Sequence, residues 1–109
     1  MSYKVYGMIG LAQKAGKVVT GEEGCAEAIK KGKSKLVIIA ENSSDNTKKK
    51  FMDMCFYRNI PYIVFGTKEL LGKYTGKKNR AVLSIRDKNF ATTIKHLYDQ
   101  ESNGGELFV

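Results

Sequence analysis

Apolar residues along this chain change period several times, and each change marks an element. Five consecutive apolar residues, Leu36-Val37-Ile38-Ile39-Ala40, follow Gly32-Lys33-Ser34-Lys35 and give way to Glu41, Asn42 and two serines. A short unbroken run of this kind, rich in β-branched residues, is the pattern of a strand buried on both faces. Upstream, Val5, Met8, Ile9 and Ala12 fall at i, i+3, i+4 and i+7, which predicts an amphipathic helix over 3–15. Gly7 and Gly10 inside it each cost roughly 1 kcal/mol relative to alanine, which implies that a neighbouring element comes close there. Lys17-Val18-Val19-Thr20 reads as a short strand at a sheet edge. Thr20-Gly21-Glu22-Glu23 has the form of a capping box opening a second helix, with Cys25, Ala28 and Ile29 inward and a stop at Gly32.

Beyond the apolar run, Asn42, Ser43 and Ser44 supply caps for a third helix with Phe51, Met52, Cys55 and Phe56 as its expected core face. Pro61 ends it, and Tyr62 to Phe65 reads as a strand. Thr67 caps a short helix through Tyr74, closed by Gly76. Ala81 to Ile85 is a fourth strand, and Asp87 then caps a last helix striped by Phe90, Ala91, Ile94, Leu97 and Tyr98. Helices alternating with strands predict an α/β fold, a three-layer α/β/α sandwich around a four-stranded mixed sheet. The chain reads as a single domain over 1–101, followed by a glycine-rich tail, 102–109, expected to be mobile.

Charge changes the picture more than composition does. Nineteen Lys and Arg stand against eleven Asp and Glu, a net charge of +8, and all nineteen cations precede residue 99 while three of the acids follow Tyr98. A body this basic expects a polyanionic partner, although lysines also serve plain solubility. No apolar run approaches the roughly 20 residues of a membrane span, and the N-terminus lacks a signal-peptide pattern, so the expected compartment is the cytoplasm. Cys25 and Cys55 have no CxxC spacing and no histidine beside them, which predicts two neutral buried thiols rather than a disulfide or a zinc site.

Catalytic patterns are thin. Gly72-Lys73-Tyr74-Thr75-Gly76-Lys77-Lys78 is one residue short of a phosphate loop and has Lys78 where a hydroxyl is required; Gly10 to Val18 is one residue too long. The single histidine, His96, lies beside the stripe of the last helix. Glu22 and Glu23 suit capping better than paired acid–base work. The chain is not expected to be an enzyme. What remains is a binding surface. The start of the second helix (Gly21, Glu22, Glu23, Gly24), Lys35 with Glu41 and Asn42 around the buried strand, and Arg86, Asp87 and Lys88 after the fourth strand are expected to meet at one edge of the sheet. Backbone donors at a helix N-terminus beside cations suit phosphates or splayed bases.

The ordered combination of Gly32-x-x-Lys35-Leu36-Val37-Ile38-Ile39-Ala40-Glu41, Asn59-Ile60-Pro61-Tyr62 and Lys68-Glu69-Leu70-Leu71-Gly72-Lys73 with Gly76 after it resembles the kink-turn-binding ribosomal protein family (ribosomal proteins L-seven-Ae and L-thirty-e). Leu11-Ala12-Gln13-Lys14-Ala15-Gly16-Lys17 and Gly21-Glu22-Glu23 look closest to its small bacterial members. The resemblance spans about residues 5 to 98 and implies binding of structured RNA, ribosomal RNA or the ribosome as partner, without a cofactor; the sequence itself does not give the oligomeric state, and a monomer is the expectation. The family's strong binders open the second helix with Gly-x-Asn-Glu-x-x-Lys. Here the matching positions are Gly21, Glu23, Gly24 and Glu27, so only the glycine is kept and carboxylates stand where phosphates would approach. The alternative reading is a protein-interaction or regulatory module on the same fold that has lost kink-turn recognition.

Overall fold

The apolar run becomes strand β2 (Leu36–Ile39), every residue of which is buried. It lies inside a four-stranded sheet of order β1-β4-β2-β3, with β1 (Val18–Thr20), β3 (Tyr62–Val64) and β4 (Val82–Ile85). β2 pairs in parallel with β3 (Ile38 opposite Ile63) and antiparallel with β4 (Ile38 opposite Leu83), while β4 pairs antiparallel with the edge strand β1. The structure is a computed structural model that describes the backbone of residues 3–107 and the side chains of residues 3–102.

Because side chains alternate across a strand, the buried run supplies two cores at once. Leu36, Ile38 and Ala40, with Leu83, Ile85 and Ile63, face Val5 and Ile9 of α1 (Tyr3–Lys14), Leu71 of α4 (Lys68–Tyr74) and Ala91 and Ile94 of α5 (Lys88–Leu107). Val37, Ile39 and Val82 face Cys25 and Ile29 of α2 (Glu22–Lys30) and Phe51 and Cys55 of α3 (Asp45–Arg58). The result is the three-layer α/β/α sandwich with a mixed sheet.

Most caps stand where the sequence puts them. The Ser44 hydroxyl accepts from Thr47 N at 3.1 Å, the Thr67 hydroxyl from Leu70 N at 3.2 Å, and the Asp87 carboxylate from Phe90 N at 2.9 Å. The capping box on α2 does not form: the N-cap is Gly21, at φ 89 and ψ 158, and no side chain caps the helix. Thr20 is the last residue of β1, one position too early, and its hydroxyl accepts from Arg80 Nε instead, at 3.2 Å. Phe56 also departs from expectation. The inward face of α3 is the four-residue repeat Thr47, Phe51, Cys55, and Phe56, one step past it, is 85% exposed. Of the two helical glycines in α1, Gly10 lies against Tyr74, 3.8 Å from where a Cβ would sit, whereas Gly7 faces open space. Residues 102–107, expected to leave the domain as a tail, continue α5 as helix; 108–109 lie outside the described residues.

Candidate nucleic-acid interface

Strand direction decides which loops meet. β1, β2 and β3 run the same way and β4 runs against them, so the exits of the first three strands share an end of the sheet with the entry of β4. There Gly21 N donates to Val82 O at 3.0 Å, Ala40 N to Ala81 O at 2.8 Å and Glu41 N to Gly66 O at 2.7 Å. At the other end the entries of β1 and β2 meet the exit of β4: Arg86 N donates to Lys17 O at 2.8 Å and Lys35 N to Ile85 O at 2.7 Å. The expected single site is therefore split. Gly21, Glu22, Glu23, Gly24, Glu41 and Asn42 stand together, and Lys35, Arg86, Asp87 and Lys88 lie at the opposite end, because β4 is antiparallel to β2.

The place assigned to the loop after β4 is taken by the segment before it, Lys77-Lys78-Asn79-Arg80, which sequence reading left out. Its path follows from Gly72. A Cβ there would run into the Lys78 carbonyl, so only glycine lets the chain double back across α4. Lys77 N donates to Gly72 O at 2.8 Å and Arg80 N to Lys68 O at 3.0 Å, which returns the chain to the start of α4. The Arg80 guanidinium is then held by the Thr20 hydroxyl and, through Nη1, by Asn79 O at 2.7 Å. The findable signals were two glycines, Gly72 and Gly76, in and after a seven-residue helix.

At this end the first turn of α2 has no side-chain cap, so its N–H groups are open to an outside acceptor. The carboxylates around it are mostly committed. Glu22 accepts from the Thr47 hydroxyl at 3.1 Å, tying α2 to the start of α3. Glu27 is paired with Lys31 at 2.7 Å, and the hydrogen bond and charge of that lysine hold its carboxyl below the usual range. Glu41 accepts from Gly66 N at 3.1 Å. The Asn42 side chain spans to α4, accepting from Lys68 N at 2.8 Å and donating to Glu69 at 3.0 Å. Glu41 and Asn42 thus brace the loops rather than offer free groups. Glu23 is exposed and has no hydrogen-bond or ion-pair partner among the described residues.

Both thiols are buried, and burial pushes Cys25 up to about 12 and Cys55 up to about 11, so neither is a nucleophile near neutrality. Among the described residues no cluster of His, Cys, Asp and Glu could hold a metal, and no helix is long and apolar enough to cross a membrane.

Comparison with known proteins gives the family and the fold. Residues 3–95 match the model of the ribosomal protein L7Ae/L30e/S12e/Gadd45 family. The chain is 38% identical over 92 residues to the RNA-binding protein YlxQ of Bacillus subtilis, covering 84% of this chain and 92% of that one. It is 32% identical over 108 residues to the large ribosomal subunit protein eL8 of Picrophilus torridus, covering 94% and 85%. A solved structure of a Bacillus halodurans protein of unknown function superposes with a TM-score of 0.85 at 35% identity, covering 88% of this chain and 97% of that one. The Giardia lamblia 15.5kD RNA binding protein shares the fold at a TM-score of 0.75 and 19% identity, over 91% and 85%. This chain belongs to the ribosomal protein L7Ae/L30e/S12e/Gadd45 family.

Proposed function

We propose that the protein binds structured RNA without transforming it, as a ribosome-associated protein, through the end of the sheet where α2 begins. The observation that carries this reading is the meeting, at one end, of an uncapped helix N-terminus with the cationic return segment Lys77–Arg80. Open N–H groups with an Arg fixed beside them suit a bent phosphate backbone, where the guanidinium can take a phosphate bidentately. RNA-binding and ribosomal names among the relatives support the same reading.

The element we propose is a kink-turn, and two local bonds support it despite the carboxylates at 22, 23 and 27. Glu22 is turned toward α3 and Glu27 is neutralised by Lys31, which leaves Glu23 as the carboxylate facing an incoming strand. A lone carboxylate can accept from a guanine edge, in place of the family's asparagine. Lys35, Arg86, Asp87 and Lys88 do not belong to this contact.

The test is fluorescence anisotropy of a kink-turn RNA and of a fully paired duplex of equal length, titrated with wild type and Arg80→Gln across a salt series. Expected are tighter binding of the kink-turn, a loss on Arg80→Gln of about tenfold to a hundredfold at low salt, as for a hydrogen bond to a charged group, and a shallower salt slope. Binding that is indifferent to RNA shape and to Arg80 would refute the reading and favour the protein-interaction module.

A further inference from the structure

The end of the sheet that drops out of that site has its own architecture. Three adjoining hollows, of about 590, 460 and 370 Å³, open around Pro61 where β3 begins. Lys35 is shared by the first and third, Lys95 by the first and second; Lys88 lines the first and Arg58 the third. Asp99 is the acid lining them, and it is already bound to Lys95 at 2.7 Å. The second hollow is walled by two aromatic rings, Phe56 and Tyr62. Phe56, 85% exposed, has little of the cover that a phenylalanine usually finds.

Neither feature serves the fold. Lys88 is the first residue of α5, where positive charge opposes the helix dipole, and the acid at that helix start is the capping Asp87, already bonded to Phe90 N. Arg58 is steered toward the hollows by its hydrogen bond to Lys30 O, at 3.3 Å. Phe56 could be any polar residue without loss to the core.

We infer that this end is a second binding surface, for an unpaired stretch of nucleic-acid strand, with a base stacked on Phe56 and its phosphates on Lys35, Arg58 and Lys88. A duplex offers no free base face to a ring. A protein partner would need acids to match at least three cations, whereas every phosphate of a strand supplies one. Cations lining a groove beside an exposed aromatic make the chemistry of single-strand binding. β2 alone is about 13 Å long at its four-residue rise, so the two ends are far enough apart to hold separate parts of one RNA. The inference stands independently of the kink-turn reading.

The experiment uses a fluorescein-labelled twelve-residue oligouridylate, which has no internal pairing, titrated with the full chain at low salt and followed by anisotropy. Phe56→Ala is expected to weaken binding about five- to hundredfold, the effect of losing one stacked base, and Phe56→Tyr to restore it. Lys35→Gln combined with Lys88→Gln is expected to weaken binding and flatten its salt dependence, while Lys49→Gln, which removes a charge from the exposed face of α3, changes it less than twofold. No binding of the oligonucleotide, equal losses for Lys49→Gln and the paired lysines, or a loss on Arg80→Gln as large as that on Phe56→Ala would each overturn the inference. Phe56 is exposed, so its substitution tests binding and not folding.

Discussion

The proposed kink-turn contact cannot be strengthened by copying the family's residues into α2 wholesale, and Gly24 is the reason. The change Gly24→Glu would bring in the glutamate of the family pattern, but a Cβ at Gly24 would stand 2.9 Å from Val19 Cγ1. That neighbour is a β-branched side chain on the edge strand, packed against the second core, and its χ1 has little freedom. Forcing a group into such a contact costs about 1 to 3 kcal/mol. Replacing glycine inside a helix returns roughly 0.5 kcal/mol, so the net loss is about 0.5 to 2.5 kcal/mol, or, at roughly 4 °C per kcal/mol for a domain of this size, about 2 to 10 °C in Tm. Urea unfolding of wild type, Gly24→Glu, Val19→Ala and the double variant measures it. Relief of the clash makes the double variant more stable than the two single losses add up to, by at least about 0.5 kcal/mol, the coupling expected of residues in contact. Strict additivity, or a Gly24→Glu variant as stable as wild type, would refute the reasoning. The route to tighter binding that this geometry allows is Glu23→Asn with Glu27→Lys and Gly24 kept.

Glu27→Lys alone reverses a charge beside the uncapped turn and breaks the pair with Lys31; kink-turn affinity should rise severalfold at low salt with a steeper salt slope, and no gain by a folded variant would show that α2 faces away from RNA. Because burial holds the protons of Cys25 to about 12 and of Cys55 to about 11, against 9.0 for a free thiol, the stability they contribute is complete below about pH 9 and is lost as pH rises toward 12. Urea midpoints at pH 8 and pH 10.5 should therefore fall more for wild type than for a Cys25→Ala, Cys55→Ala variant, and a parallel fall would contradict it. Asp87→Ala removes the bond to Phe90 N and should lower stability by about 1 kcal/mol in the same unfolding assay, with an unchanged midpoint counting against the cap.

Much of the fold was legible because its signals were local. The unbroken run Leu36–Ala40 announced a strand covered on both faces, and Ser44, Thr67 and Asp87 each named a helix start that the structure bears out. The errors arose where two local rules overlapped. Thr20 followed by Glu23 satisfies a capping pattern, yet Thr20 is still pairing with Leu83 in the sheet, so the helix starts on a glycine. Phe56 fits a three-and-four spacing as well as Cys55 does; only the position of the sheet beneath α3 decides that Thr47, Phe51 and Cys55 point inward.

The site was harder to read because it depends on a direction that no single segment encodes. A strand of four residues has the same apolar pattern whichever way it runs, so Val82–Ile85 could bring either Arg80 or Arg86 beside α2. The decision lies upstream, in the connection from β3. α4 is seven residues long, about 10 Å at the helical rise, and a parallel β4 would require the chain to go on from there to the far end of the sheet. Gly72 instead lets Lys77 and Lys78 turn back across the helix, and the bond from Arg80 N to Lys68 O closes the return where α4 began. One glycine thereby sets the direction of β4 and gives α2 an arginine. It also sends Arg86 and Lys88 to the opposite end, where Lys88 joins Lys35 beside the hollows at Pro61, so the same turn that brings Arg80 to the first proposed surface supplies charge to the second.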